Sequence, residues 1–229
     1  MIATSYYQGL ILDFGGVIAK SFFETKAEFE TLLGLAAGTL AWRGPFDPQS
    51  DPLWQRVTAG KITEGEYWAK RAEEAGALIG ERWTFQDFCR RQNDLALAAV
   101  IRPESVRLVT EAKRQGVKLA VLTNELESLT GADWIASIPV VRLFDAFVDA
   151  THTRISKPDP RAYRLALAAL GLEAEEAIFI DDQIKNIRGA EAVGIRSIQL
   201  DLRNPNAAFD TARALLGLKA HAPFAFPGG

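Results

Sequence analysis

Apolar residues recur along this chain in short unbroken runs separated by amphipathic stretches. QGLILD at 8–13 is such a run; it ends in an acid and meets Phe14, Gly15 and Gly16, which predicts a buried strand and a tight turn. VKLAVLTN at 117–124 is a second, and PESVRLVTEAKRQG before it, bracketed by Pro103 and Gly116, predicts a helix. The alternation continues with a helix over about 125–137, a strand at 144–150, and a helix over 160–170 closed by Gly171. A strand at 177–181, a helix over 184–193 closed by Gly194 and a strand at 196–200 follow. A last helix covers 205–217, and HAPFAFPGG is expected to trail along the surface. Strands that are apolar throughout, rather than at every second position, are covered on both faces. The predicted class is α/β: a doubly wound, Rossmann-like three-layer core around a parallel sheet.

The rhythm stops between 20 and 98. That stretch holds no convincing strand but four helix-like segments, at 23–34, 51–59, 63–75 and 84–99. The three prolines of RGPFDPQSDP at 43–52 exclude a continuous helix there. The chain thus divides into a core, 1–19 and 99–229, and a helical insertion, 20–98. Trp42, Trp54, Trp68 and Trp83 lie in the insertion and read as filling a small core of its own rather than stacking on a substrate. Cys89, beside Phe88, reads as a small packed residue, since no base that would activate a thiol is evident.

Composition narrows the class of partner. A chain of 229 residues suffices for one large domain with an insertion, not for two ordinary enzymes. With 48% apolar and 24% charged residues and no low-complexity stretch, disorder, collagen-like repeats and coiled coil are excluded. The formal charge is −3, and no basic block stands out, so neither nucleic acid nor an anionic membrane is an expected partner. A small molecule fits better. One cysteine rules out an intrachain disulfide and a multi-thiolate metal site. No apolar run approaches the roughly 18 to 20 residues of a membrane span, and MIATSYYQG lacks a secretory pattern. The expected location is the cytoplasm.

In a doubly wound sheet, ligands bind outside the carboxyl ends of the strands. Asp13, Thr123 with Asn124, and Asp181 with Asp182 stand at such ends, and Lys157 follows the third strand. This inventory suits a phosphate monoester, whose transfer needs positioning and neutralisation of charge. Asp13 could attack phosphorus, given a cation between two anions. Asp13, Asp182 and the Gly15 carbonyl would hold Mg²⁺, Lys157 would lie on the phosphoryl group, and Thr123 would bind its oxygens. Each residue alone has an ordinary reading. Asp13 could cap a turn, Asp181 or Asp182 could cap a helix, Lys157 could be solvated, and Thr123 could simply complete a strand. Gly15 and Gly16 do not form a dinucleotide fingerprint, because G-x-G-x-x-G is absent.

ILDFGGVI at 11–18, VLTN at 121–124, KPDPRAY at 157–163 and FIDDQIKNIRGAEAVGI at 179–195 together resemble, in order, the four motifs of the haloacid dehalogenase superfamily of hydrolases. The resemblance spans about residues 8–200. The insertion is similar to the helical cap of that superfamily's largest branch. The motif wording is closest to the phosphatase domain of soluble epoxide hydrolases and bacterial sugar-1-phosphate phosphatases. The resemblance implies a Mg²⁺-dependent phosphatase of a small phosphorylated metabolite, working through an aspartyl-phosphate. It makes Asp13 the nucleophile, Thr123, Asn124 and Lys157 the substrate ligands, Asp182 a metal ligand, and Asp181 and Asn186 supporting groups. Two rivals are a dehalogenase, in which the same Asp attacks carbon without metal, and a phosphate-binding regulatory protein. One position departs from the family pattern. Gly15 stands where family phosphatases carry an Asp as general acid and base, so simple alkyl phosphates are expected to be poor substrates. His152 is a conceivable substitute donor, although a hydrogen-bonded surface histidine is the simpler reading.

Overall fold

The computed structural model describes residues 7–219, so the HAPFAFPGG tail lies outside the described residues. Strand β1 (Gly9–Leu12) is followed by helices α1 (Lys26–Leu32), α2 (Pro52–Thr58), α3 (Glu64–Leu78), α4 (Phe85–Gln92) and α5 (Leu97–Val100). Next come α6 (Pro103–Arg114), β2 (Lys118–Thr123), α7 (Leu126–Thr130), α8 (Ala132–Ser137), β3 (Ala146–Asp149), α9 (Ala150–Thr153) and α10 (Pro160–Leu170). β4 (Ala177–Asp181), α11 (Ile184–Glu191), β5 (Arg196–Gln199) and α12 (Pro205–Leu215) follow. The five strands pair in parallel in the order β3-β2-β1-β4-β5, which places β1 at the centre.

Strand pleating divides the apolar runs between two faces. Leu10, Leu12, Val121 and Ile180 join Leu108 and Val109 of α6 and Phe209 of α12 in one cluster. Ile11, Leu122 and Phe179 join Tyr163 and Ala166 of α10 and Ile187 of α11 in the other. Both faces are therefore covered, as the unbroken runs predict. Each such side chain, once buried, contributes on the order of 1.5–3 kcal/mol. α10 shows how local chemistry sets an element's ends. The Asp159 side chain accepts the Arg161 N–H, Pro160 opens the helix, and Gly171 closes it in the left-handed conformation at φ 62°.

Two predicted helices are each broken in two. The segment 125–137 becomes α7 and α8, separated at Gly131, whose φ of 88° no helix accommodates. The segment 84–99 becomes α4 and α5, because Asn93 donates its amide to Thr130 O at 2.8 Å and Leu95 turns into the core. Tertiary contacts outweigh propensity at both places.

The residues between 20 and 98 include no strand among the described residues. They leave and rejoin the sheet side by side, with Lys20 N–H donating to Val100 O at 2.8 Å and Arg102 N–H to Ile18 O at 2.9 Å. Trp42, Trp68 and Trp83 are buried and Trp54 is partly so. Phe23 lies 4.7 Å from Trp68 between ring centroids, and Phe22 lies 5.0 Å from Phe88. These rings fill the insertion as expected, but their cluster is continuous with Phe14, Val17 and Ile18 beside the sheet. α4 also packs on α7, where Gln86 donates to Ser128 O. Among the described residues, no helix is long and apolar enough to cross a membrane.

Candidate active site

Parallel strands deliver their carboxyl ends to one edge of the sheet. Asp13 follows β1, its N–H bonded to Ile180 O at 2.9 Å and its Oδ1 accepting the Phe14 N–H at 2.6 Å. Asp181 ends β4 and is fully buried. Lys157 is buried between them, with Nζ 2.8 Å from Asp13 Oδ1 and 2.7 Å from Asp181 Oδ2. Asp181 is held in turn by Asn186 Nδ2, at 3.1 and 3.0 Å from its two oxygens, and by the Gln183 N–H at 2.8 Å. Asn186 is fixed through its carbonyl, which accepts the Tyr163 hydroxyl at 2.7 Å.

Asp182 completes the cluster. Single carboxylate oxygens of Asp13, Asp181 and Asp182 lie within 4.8 Å of one another. Asp182 Oδ1 is buried and has no partner. Its other oxygen lies against Gly16, where a Cβ would come within 2.7 Å of it. Three acids face one lysine, and the charges show the imbalance. Burial pushes the Asp13 carboxyl above its ordinary value, Asp181 adds to that, and Lys157 and the Phe14 N–H pull against it. Asp182 is raised by burial and then by Asp181, Asp13 and Glu64. Burial works against charge on Lys157, yet Asp13 and Asp181 hold it above its ordinary value. The cluster lacks positive charge and offers an unpartnered carboxylate oxygen, which is what a divalent cation takes.

The remaining residues expected from sequence fall around this centre. Thr123 is buried at the end of β2, opposite Asp149 of β3. Asn124 turns its side chain to Lys157, accepting that residue's N–H at 2.9 Å and donating to its carbonyl at 3.1 Å. Gly15 is exposed, and a Cβ there would meet nothing within 4 Å. His152 is exposed on α9 and bonds to Glu127 Oε2 at 2.9 Å, so it is a surface histidine and belongs to no part of the cluster. Burial pushes the Cys89 thiol up to about 12, in keeping with a packed, unreactive role.

Three residues escaped the sequence reading. Asp149 accepts the N–H groups of Glu127 and Thr151 at 2.8 Å each, setting the loops after β2 and β3. Its signal was legible: an acid at a strand end, like Asp13 and Asp181. Arg102, buried, donates to Gly16 O at 3.0 Å and to Glu24 Oε2 at 2.7 Å, which ties the insertion's stem to the glycine turn. Glu64, in the first turn of α3, carries a charge that reaches Asp181 and Asp182 from the insertion side. Nothing in the sequence distinguishes it from an ordinary acid after a Thr63 cap.

A family model described as haloacid dehalogenase-like hydrolase matches residues 7–194. The chain belongs to the haloacid dehalogenase-like hydrolases. This hydrolase is 31% identical over 219 residues to mouse acyl-CoA dehydrogenase family member 10, across 94% of its own length and 20% of that protein's. It is also 31% identical over 163 residues to the phosphoserine phosphatase of Thermus thermophilus, across 70% of its own length and 57% of that enzyme's. It thus spans a fifth of the one relative and little more than half of the other. Its fold matches the crystal structure of the Bacillus subtilis HAD-hydrolase YfnB bound to magnesium, with a TM-score of 0.68 at 15% identity, over 93% of this chain and 99% of that one.

Proposed function

We propose that this hydrolase is a Mg²⁺-dependent phosphatase that cleaves a small phosphorylated metabolite through an aspartyl-phosphate on Asp13, with residues 20–98 as a cap over the site. The observation that carries this reading is Asp13 paired with a buried Lys157 beside an unpartnered, buried Asp182 oxygen. The donor set fits a hard cation: Asp13 and Asp182 would hold it together with the Gly15 carbonyl. When bound, the metal would supply positive charge between the attacking carboxylate and the phosphate.

The chain's own residues do the rest. Lys157 opposes the burial that raises the Asp13 carboxyl and offers its ammonium to the phosphoryl oxygens, where charge develops. Asp181 anchors Lys157, Asn186 anchors Asp181, and Asn124 fixes the Lys157 backbone. The Thr123 hydroxyl binds a remaining oxygen. The phosphoserine phosphatase relative, by its name an enzyme of phosphate esters, supports the same substrate class. A dehalogenase attacking carbon would have no use for the orphaned carboxylate of Asp182.

The test is phosphate release from a panel of phosphorylated metabolites with Mg²⁺, with EDTA, and with Asp13→Asn. EDTA should abolish turnover, and the near-isosteric amide should lower kcat by about 10⁴-fold or more in a folded protein. Halide release from a haloacid, or hydrolysis that survives metal removal, would overturn the reading. Stabilisation by Mg²⁺ and beryllium fluoride without turnover would favour the binding-protein alternative.

A further inference from the structure

The Lys157 ammonium is held at two points, by Asp13 Oδ1 at 2.8 Å and by Asp181 Oδ2 at 2.7 Å. An ammonium has three N–H donors, so a third remains for a phosphoryl oxygen. Two points still let a long, flexible side chain swing about the line that joins them. A further support that consumes no donor would fix it. Phe179 of β4 supplies one, for Nζ lies over its ring at 5.5 Å from the centroid, within the roughly 6 Å over which an aromatic face attracts a cation. Both side chains are buried, Phe179 completely, so water does not screen the contact.

The ring is itself held. Tyr163 of α10 meets it edge-on, with centroids 5.5 Å apart and planes at 79°, and the Tyr163 hydroxyl donates to Asn186 O at 2.7 Å. Gly189 of α11 closes the space behind that hydroxyl, since a Cβ there would come within 2.7 Å of Tyr163 Oη and 2.9 Å of Pro158 Cβ. Tilting Phe179 away from Lys157 would therefore require Tyr163 to move, and α11 fixes Tyr163. We propose that Phe179 is a positioning residue for Lys157, its ring face holding the ammonium where the phosphoryl oxygens arrive. The kinetic role rests on the phosphatase reading above, whereas the contact itself does not. Asp13 and Asp181 set the charge around the ammonium, and the ring sets where the ammonium stands. Charge on the phosphoryl oxygens grows toward the transition state, so a misplaced ammonium costs more there than in the bound substrate.

Two measurements test this. In metal-free protein labelled with nitrogen-15 at lysine Nζ, the Lys157 ammonium protons are identified by their loss in Lys157→Arg. They should move downfield in Phe179→Leu, because a ring current shields a group over the ring face. In the second measurement, phenylalanine bearing one, two or three ring fluorines is placed at position 179, which keeps the ring's shape and drains its negative face stepwise. With nitrophenyl phosphate and Mg²⁺, kcat should fall at each step, by about 3- to 30-fold across the series, while KM stays within about twofold. The same series at Phe209, buried on the other face of the sheet, should leave kcat flat. An unmoved Lys157 resonance would overturn the contact. A flat kcat across the fluorinated series, or an equal fall at Phe209, would overturn the role, and all three results leave the phosphatase reading intact. No phosphate release by wild type, from nitrophenyl phosphate or from the metabolite panel, would remove that reading and the kinetic role with it.

Discussion

Gly15 and Gly16 are neighbours in sequence and opposites in what they tolerate. Gly16 has φ 76°, and a Cβ there would stand 2.7 Å from Asp182 Oδ2. A side chain must both adopt a left-handed conformation and displace the Asp182 carboxylate, whose Oδ1 has no partner. Gly16→Ala should cost about 1–2 kcal/mol in thermal unfolding and weaken the stabilisation that added Mg²⁺ gives. Gly15→Ala meets open space and should shift stability by no more than about 0.5 kcal/mol. Melting curves with and without Mg²⁺ check both. Lys157 is the other single-residue lever, since it is the cation between Asp13 and Asp181. Lys157→Ala should lower kcat by about 10²–10³-fold, read against the Asp13→Asn loss in the same assay.

At the scale of elements, the insertion's helices are tied together by one carboxylate. Asp51 caps α2 through the Trp54 N–H at 3.0 Å and takes the N–H groups of Arg43 at 3.1 Å and Gly44 at 3.0 Å. From α3 it receives the Tyr67 hydroxyl at 2.8 Å and the Arg71 guanidinium at 2.6 Å. Burial alone would raise its pKa, but the donors from Gly44, Arg43, Trp54 and Tyr67 outweigh it and hold the carboxyl at about 2. In the unfolded chain the value is about 3.9, so the folded state binds the proton less tightly. The stability Asp51 contributes is therefore present above about pH 4 and lost as pH falls toward 2. Asp51→Asn should cost about 2 kcal/mol at neutral pH and flatten the fall in stability over that window, as urea unfolding at several pH values would show.

For the molecule as a whole, the question is how the insertion is joined to the sheet. Paired stems, the Arg102 bridge to Gly16 and Glu24, and the α4–α7 contact hold them together, and one apolar cluster runs through both. Unfolding should therefore be a single cooperative transition by fluorescence and by circular dichroism. Two separated transitions would contradict this. Arg102 is 2% exposed and its partner Glu24 is largely covered, so Arg102→Met should lower stability by about 3–5 kcal/mol. The same change frees the carbonyl of Gly16, so metal stabilisation should fall with it.

The strand ends and their chemistry were legible in the sequence because each is a local signal. An unbroken apolar run closed by an acid marks β1 and β4, and glycine after an amphipathic stretch marks the end of α10. Asp13, Asp181, Asp182 and Lys157 could be grouped on that basis, since parallel strands must deliver their carboxyl ends to one edge. The breaks at Gly131 and Asn93 were not legible, for they depend on where α4 meets α7. Nor could the sequence show that Asn124 faces the Lys157 backbone, that Arg102 ties a stem to a turn, or that Glu64 shares an electrostatic field with Asp182. Periodicity and turn chemistry act over a few residues and can be read along the chain. Hydrogen bonds and charges between residues tens of positions apart exist only once packing brings them together, and packing alone decided them.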